Sequence, residues 1–247
     1  MIGLGTIVNS AAVAAGSLVG LFFKRIISEK LNTTLMQALA LCTMATGITG
    51  IVQNGMEIAG GELGGRYALM MILSILIGTV IGETIDIDRR LDSLGNFLQK
   101  RFSSGDRGDF RRGFVTATLT VCVGAMAIVG SLNDGLRHDP TLLYTKSILD
   151  FAICIVYAST LGIGTVFAAG PLFLYQGGIT LFAGALEPML GAAVVAQMGF
   201  IGSVLIFGIG LNFIYKPRLR LANMLPAVFI PPVWYGIISL LGGITNV

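Results

Sequence analysis

Ala117–Gly135 reads ATLTVCVGAMAIVGSLNDG, and this stretch decides the fold. It is an apolar run of small residues, long enough to enter a bilayer, that closes on Asn133-Asp134-Gly135. An acid and an amide at the end of an apolar helix are costly unless a partner or a task retains them. Eighty residues upstream the pattern occurs again at Ala40–Gly55, ALCTMATGITGIVQNG. There Cys42, Ala45, Ile48, Gly50, Gln53, Asn54 and Gly55 stand opposite Cys122, Ala125, Ile128, Gly130, Asn133, Asp134 and Gly135. Agreement in kind along a helix and its end implies duplication, and makes the polar helix ends the first candidates for function.

Outward from this pair the chain reads as successive apolar spans. Of its 247 residues 54% are hydrophobic and 12% charged, against about 25% charged in an ordinary soluble domain. Runs of about 20 apolar residues match the thickness of a bilayer. The expected fold class is therefore an all-α, polytopic transmembrane helical bundle of one integral membrane domain, residues 1–247. The 34 glycines suit helices that approach closely in a membrane and would weaken a soluble bundle. The N-terminal run lacks a basic leader and a cleavage site, so it reads as a first span, not a removed signal peptide.

Eight spans are expected, at about 2–23, 35–53, 67–85, 114–135, 147–168, 170–188, 192–215 and 224–241. The sixth, interrupted by Pro171, Gly177, Gly178 and Glu187-Pro188, reads as a crossing segment or a broken, partly re-entrant one. Seven spans would remain if it did not cross. Pro226, Pro231 and Pro232 predict a kink in the last. Between the third and fourth, residues 86–113 carry seven basic residues, with Leu91, Leu94, Phe97 and Leu98 at helical spacing. This predicts an amphipathic helix on the cytoplasmic surface. Basic residues gather there, at 24–30 and at 216–220. Eight spans with both termini outside put all three connections in the cytoplasm, leaving Arg137 and Lys146 as exceptions outside. Even spacing of Gly50, Gly130 and Gly210, and of Gly82, Gly162 and Gly242, suggests a third copy that runs opposite to the first two. Opposed repeats with broken helices recur in transporters, which bind their solutes between the repeats.

GTIVNSAAVAAGSLVG near the start, GTVIGETIDIDRRLDSLG, CVGAMAIVGSLNDGL and NMLPA together resemble a bacterial family of multi-pass membrane proteins catalogued as domain of unknown function 554. The resemblance covers essentially the whole chain. It implies an integral protein of the bacterial inner membrane and carries over no substrate or catalytic residue.

The candidate binding residues are Asp134, Asn133, Asn54, Asn9, Asn212, Gln176 and Glu187. The last turn of a helix offers Asp134, Asn133 and Asn54 the competing role of ordinary turn chemistry. Asn9 and Asn212 lie in apolar context and need partners on a neighbouring helix. Gln176 and Glu187 fall in the interrupted segment. Asp150 reads as an N-terminal helix residue, and Glu83 as interfacial. Cys42, Cys122 and Cys154 lack ligand spacing, and His138, the only histidine, belongs to no triad. With no nucleophile and base pair, Walker sequence or HExxH present, the chain is not expected to be an enzyme or to hold a metal or cofactor.

Two functions are expected to compete. One is a transporter or channel for a small solute or ion, with proton coupling through Asp134 as one form. The other is a non-transporting oligomeric scaffold or accessory protein. In that reading Gly16/Gly20 and Gly78/Gly82, at GxxxG spacing, join copies of the chain, and the basic segment recruits a partner. The lipid bilayer is the expected surrounding, a homo-oligomer the expected assembly, and nucleic acid is excluded by the confinement of basic charge to short connections.

Overall fold

The computed structural model describes residues 2–24, 29–59, 62–90, 93, 107–122, 125–215 and 219–240. Helices α1 (Leu4–Lys24) and α2 (Glu29–Gly55) lead into a hairpin, β1 (Met56–Ala59) and β2 (Glu62–Gly65), paired antiparallel. Then come α3 (Ala68–Ile85), α4 (Arg107–Cys122), α5 (Ala125–Arg137) and α6 (Thr141–Leu161). A 3-10 turn, Ile163–Ala168, opens onto α7 (Ala169–Leu181) and α8 (Ala183–Leu186), followed by α9 (Ala192–Ile214). The last pass is α10 (Leu221–Met224), a 3-10 turn at Leu225–Phe229 and α11 (Ile230–Leu240). The expected all-α membrane bundle is observed, with the hairpin as an addition where the sequence predicted a loop.

Glycine decides which helices pair. Side chains at Gly16 and Gly20 would collide with the carbonyl oxygens of Phe151 and Ile155, so α1 lies backbone to backbone along α6, in the same direction. Gly47 and Gly55 meet Phe207 and Phe200, which sets α2 antiparallel to α9. Gly78 and Gly82 meet Ala227 and Asn223, which sets α3 antiparallel to the last pass. Lipid supplies no hydrophobic drive between helices, so close van der Waals approach through small residues does this work. Both GxxxG faces thus pack within the chain, one on α6 and the other on the last pass. The core lies around α9, where Ile201 and Leu205 pack with Leu119, Ile128, Leu221 and Val228.

Among the described residues six segments are long and apolar enough to span, five of them single helices and the sixth the last pass. A seventh pass is the pair Phe110–Cys122 and Met126–Arg137, bent by 58° where one straight helix was expected. The sequence of that break holds Gly124, among the weakest helix formers. The eighth pass is 163–186. It is too short in any one helix to count as a span, at 13 residues in α7, yet α6 ends beside Lys24 at the close of α1 whereas α9 begins beside the end of α2. The segment therefore carries the chain between opposite ends of the bundle, as a broken crossing. The two broken passes lie side by side and run in the same direction: Gly113 meets Leu161 and Thr165 near the start, and Gly135 meets Thr180 and Ala183 near the finish.

The fifth span departs from expectation at both ends. It starts at Thr141 because Asp139 accepts the Thr141 N–H at 3.0 Å and Pro140 precedes it; those hydrogen bonds hold the exposed Asp139 carboxyl below the usual carboxylate range. It stops at Gly162, whose φ of 84° suits glycine. Asp150 is therefore a mid-helix residue, not an N-terminal one, and Lys146 is a helix residue and not a loop charge. Pro226 lies at the start of the 3-10 turn that interrupts the last pass, whereas Pro231 and Pro232 sit in the first turn of α11, where their missing N–H groups cost little. Most of the expected amphipathic segment, 91–92 and 94–106, lies outside the described residues.

Replacing Gly82 by Val should destabilise the protein by about 1–3 kcal/mol through overpacking, since its added carbons meet the Asn223 carbonyl. Gly184→Ala, with open space around it, should be neutral or slightly stabilising. Thermal unfolding of the two purified variants checks the contrast.

Candidate functional site

Along α1 the buried positions are Gly5, Thr6, Asn9, Ser10, Val13, Gly16, Ser17 and Gly20. Their three- and four-residue spacing makes one inward stripe, and half of it is polar because its neighbours are polar too. Asp134 on α5, fully buried, accepts the Gly5 backbone N–H at 3.1 Å through Oδ2. It thereby supplies from another helix the acceptor that the first turn of α1 lacks, where the helix dipole also favours a negative group. Oδ1 of Asp134 has no hydrogen-bond partner.

One turn along α1, Asn9 donates from Nδ2 to Oε1 of Gln176 at 3.3 Å, both residues fully buried. Asn9 Oδ1 and Gln176 Nε2 have no partner, nor do Thr6 Oγ1, Ser10 Oγ and Ser131 Oγ. Thr180 Oγ1 donates to the Ser131 carbonyl at 3.2 Å, fastening α7 to α5. Buried polar atoms are ordinarily satisfied; Ser17, Ser74, Thr118, Thr165 and Gln197 carry single exceptions elsewhere, whereas among the described residues the junction of α1, α5 and α7 gathers several together. Beside it on α6, Lys146 and Asp150 form a buried ion pair at 2.5 Å, each side chain 8% exposed, and Asn9 faces Asp150.

Three more candidates line a second site. Asn54, Asn133 and Glu187 border an open cavity of about 520 Å³ together with Arg137, Leu136 and Val195. The two duplicated helix ends thus converge on one cavity. Each also performs the local chemistry of a helix end: Asn54 donates to the Gly50 carbonyl at 2.8 Å. At the close of α5 the Asp139 N–H reaches the Asn133 carbonyl at 3.3 Å past His138, which adopts a φ of 55°. Asn133 and Asp134, adjacent in sequence, divide between the open cavity and the buried junction.

Asn212 belongs to neither group. It sits at the opposite end of the bundle, exchanging hydrogen bonds of 2.9 and 2.8 Å with the backbone of Leu219. This is a structural role, met by the following loop and not by a neighbouring helix. Asn212 also lines a cavity of about 270 Å³ with Asp88, Arg111 and Arg220. There Arg220 pairs with Glu83 and, at 2.8 Å, with Asp86, while Arg111 holds Asp88 at 2.6 Å. Asn223 accepts the Asp88 N–H at 2.7 Å. Glu83 is exposed, as expected of an interfacial residue, and it ties the end of α3 to the start of α10.

Sequence reasoning missed the Lys146–Asp150 pair, although the four-residue spacing of opposite charges inside LLYTKSILDFAICIV was a readable signal. It also missed Thr6, Ser10, Ser131 and Thr180. Hydroxyls on apolar helices bond their own preceding turn so commonly that no signal in one chain separates these four from the others.

Residues 4–236 match the model of a family described as "Protein of unknown function (DUF554)". Among curated relatives, an uncharacterized membrane protein of Bacillus subtilis, YdfK, is 33% identical over 96% of this chain and 98% of its own. An uncharacterized protein of Escherichia coli, YqgA, is 24% identical over 92% of this chain and 94% of its own. No solved structure matches.

Substituting Lys146 by Met should cost about 3–5 kcal/mol, because it strands a buried Asp150 charge. Adding Asp150→Asn to the same chain should recover most of that loss. Unfolding of both variants in detergent measures the difference.

Proposed function

We propose that this chain, which belongs to the family described as protein of unknown function (DUF554), is a transporter or channel for a small solute or ion. The observation that carries the reading is the buried polar junction of α1, α5 and α7. Asp134, Asn9, Thr6 and Gln176 there leave donors and acceptors unmatched inside a bundle of membrane-spanning helices. A structural core would match or remove such groups; a site that receives a polar guest keeps them.

The surroundings support the same reading. Both broken passes border the junction, and backbone interrupted at membrane depth is a recurring feature of solute and ion sites. The cavity bordered by Asn54, Asn133 and Glu187 lies one residue along α5 from Asp134 and serves in this proposal as the entry. The ends of α1, α3, α6 and α9 and the start of α4 meet at the end of the bundle that carries Lys24, Arg111 and Arg220. By the distribution of basic residues that end faces the cytoplasm of a bacterial inner membrane, and the cavity faces outward. Direction and selectivity follow from whichever end admits the guest.

Purified protein reconstituted into liposomes should take up at least one member of a panel of inorganic ions, organic acids, amino acids and nucleobases. The same member should raise its melting temperature in detergent. Gln176→Leu, which removes half of the Asn9–Gln176 pair at the junction, should reduce that uptake by about tenfold or more while the bundle stays folded. No uptake and no stabilisation across the panel would end the transport reading.

A further inference from the structure

Among the described residues, the charged side chains buried in the bundle are Asp134, Lys146 and Asp150. Lys146 and Asp150 neutralise each other on one helix. Asp134 takes part in no ion pair, and its single hydrogen bond comes from a backbone amide. The dipole at the start of α1 offsets only part of a unit charge. Among these groups Asp134 is thus the one without an opposite charge beside it, in a place where an uncompensated ion is strongly disfavoured.

Unpartnered oxygens on the buried stripe of α1 and the buried face of α5 show what would balance it. Thr6 follows Gly5, the residue whose amide Asp134 accepts. Ser131 precedes Asp134 by three residues and so shares its face of α5. Asn9 lies one turn below Gly5 on the same buried stripe. Thr6 Oγ1, Ser131 Oγ, Asn9 Oδ1 and Asp134 Oδ1 are each buried and without a partner. A proton would neutralise Asp134 by engaging one acceptor and would leave the other oxygens stranded. A cation that gathers several oxygens satisfies them together.

We propose that Asp134, Thr6, Ser131 and Asn9 form a binding site for one monovalent alkali cation, with sodium the first to test. The set is all oxygen, which suits hard cations and offers nothing to a softer transition metal. Its single negative charge matches a single positive one, whereas a divalent ion would reverse the imbalance. The site deepens the transport reading by naming the ion that would be moved or would drive a solute. Binding is measured without flux, so the two readings fail separately.

The test uses the full chain, purified in detergent, in sodium, lithium, potassium or choline chloride at one ionic strength and a series of pH values. Sodium should raise the melting temperature saturably, by about 5 °C or more at a hundredfold excess over its dissociation constant. Radioactive sodium should bind at one ion per chain. Asp134→Asn keeps an oxygen for the Gly5 amide and loses the charge. It should melt no lower than the sodium-free parent and should not respond to sodium. Thr6→Val should fold normally and weaken sodium binding by about tenfold. The proposal is overturned if the parent melts alike in sodium and choline and binds no sodium. It is overturned equally if Asp134→Asn responds as the parent does, or if stabilisation follows pH and ignores sodium, which would assign the site to a proton. Sodium binding without uptake of any solute or ion would leave this site standing and end the transport reading; uptake indifferent to sodium would do the reverse.

Discussion

Everything at the polar junction depends on two helices touching through their backbones. Gly16 and Gly20 let α1 settle on the carbonyls of Phe151 and Ile155, and no larger residue would fit. Once α1 is held at that distance, its first turn comes within hydrogen-bond reach of Asp134, and Asn9 comes within reach of Gln176. A side chain at either glycine would move the stripe outward and separate these groups. In a membrane, where burial of apolar surface does not favour one helix neighbour over another, such contact is the main source of specificity. The same device repeats between α2 and α9 and between α3 and the last pass, so the three glycine-lined pairs fix the frame within which the broken passes run.

The frame was legible in the sequence because it rests on composition and period. Apolar runs of spanning length, paired small residues and the placement of basic connections require only local reading. Asn9, Asp134 and Gln176 were legible for a related reason: a polar residue in apolar context is conspicuous against its neighbours. That Asn54, Asn133 and Glu187 border one cavity was not legible: the duplication marks the two helix ends without saying where they meet, and Glu187 lies outside both copies.

What the sequence concealed depends on pairing across the bundle. The GxxxG faces announce close contact without saying with what, and here the partner is another part of the same chain. Asn212 looked like Asn9 in context, yet one bonds a loop backbone and the other a glutamine on α7, six helices further along the chain. The start of α6 was misread because Lys146 resembled a loop charge; only its ion pair with Asp150 shows why a lysine can lie inside. The break between α4 and α5 gave no stronger signal than a glycine among many.

The arrangement of Lys146 and Asp150 has an electrical consequence. Both charges ride on α6, four residues apart, so the helix can tilt or slide through the membrane field without moving net charge. On α5 Asp134 is the buried charge, while Arg137 closes the helix at the open cavity; displacing Asp134 across the field without a companion ion would transfer one elementary charge, equivalent to about 2.3 kcal/mol per 100 mV. Rearrangements centred on α6 are therefore silent to the membrane potential, whereas those that move Asp134 through the field while Arg137 stays at the open end feel it, and a cation travelling with Asp134 would cancel that sensitivity.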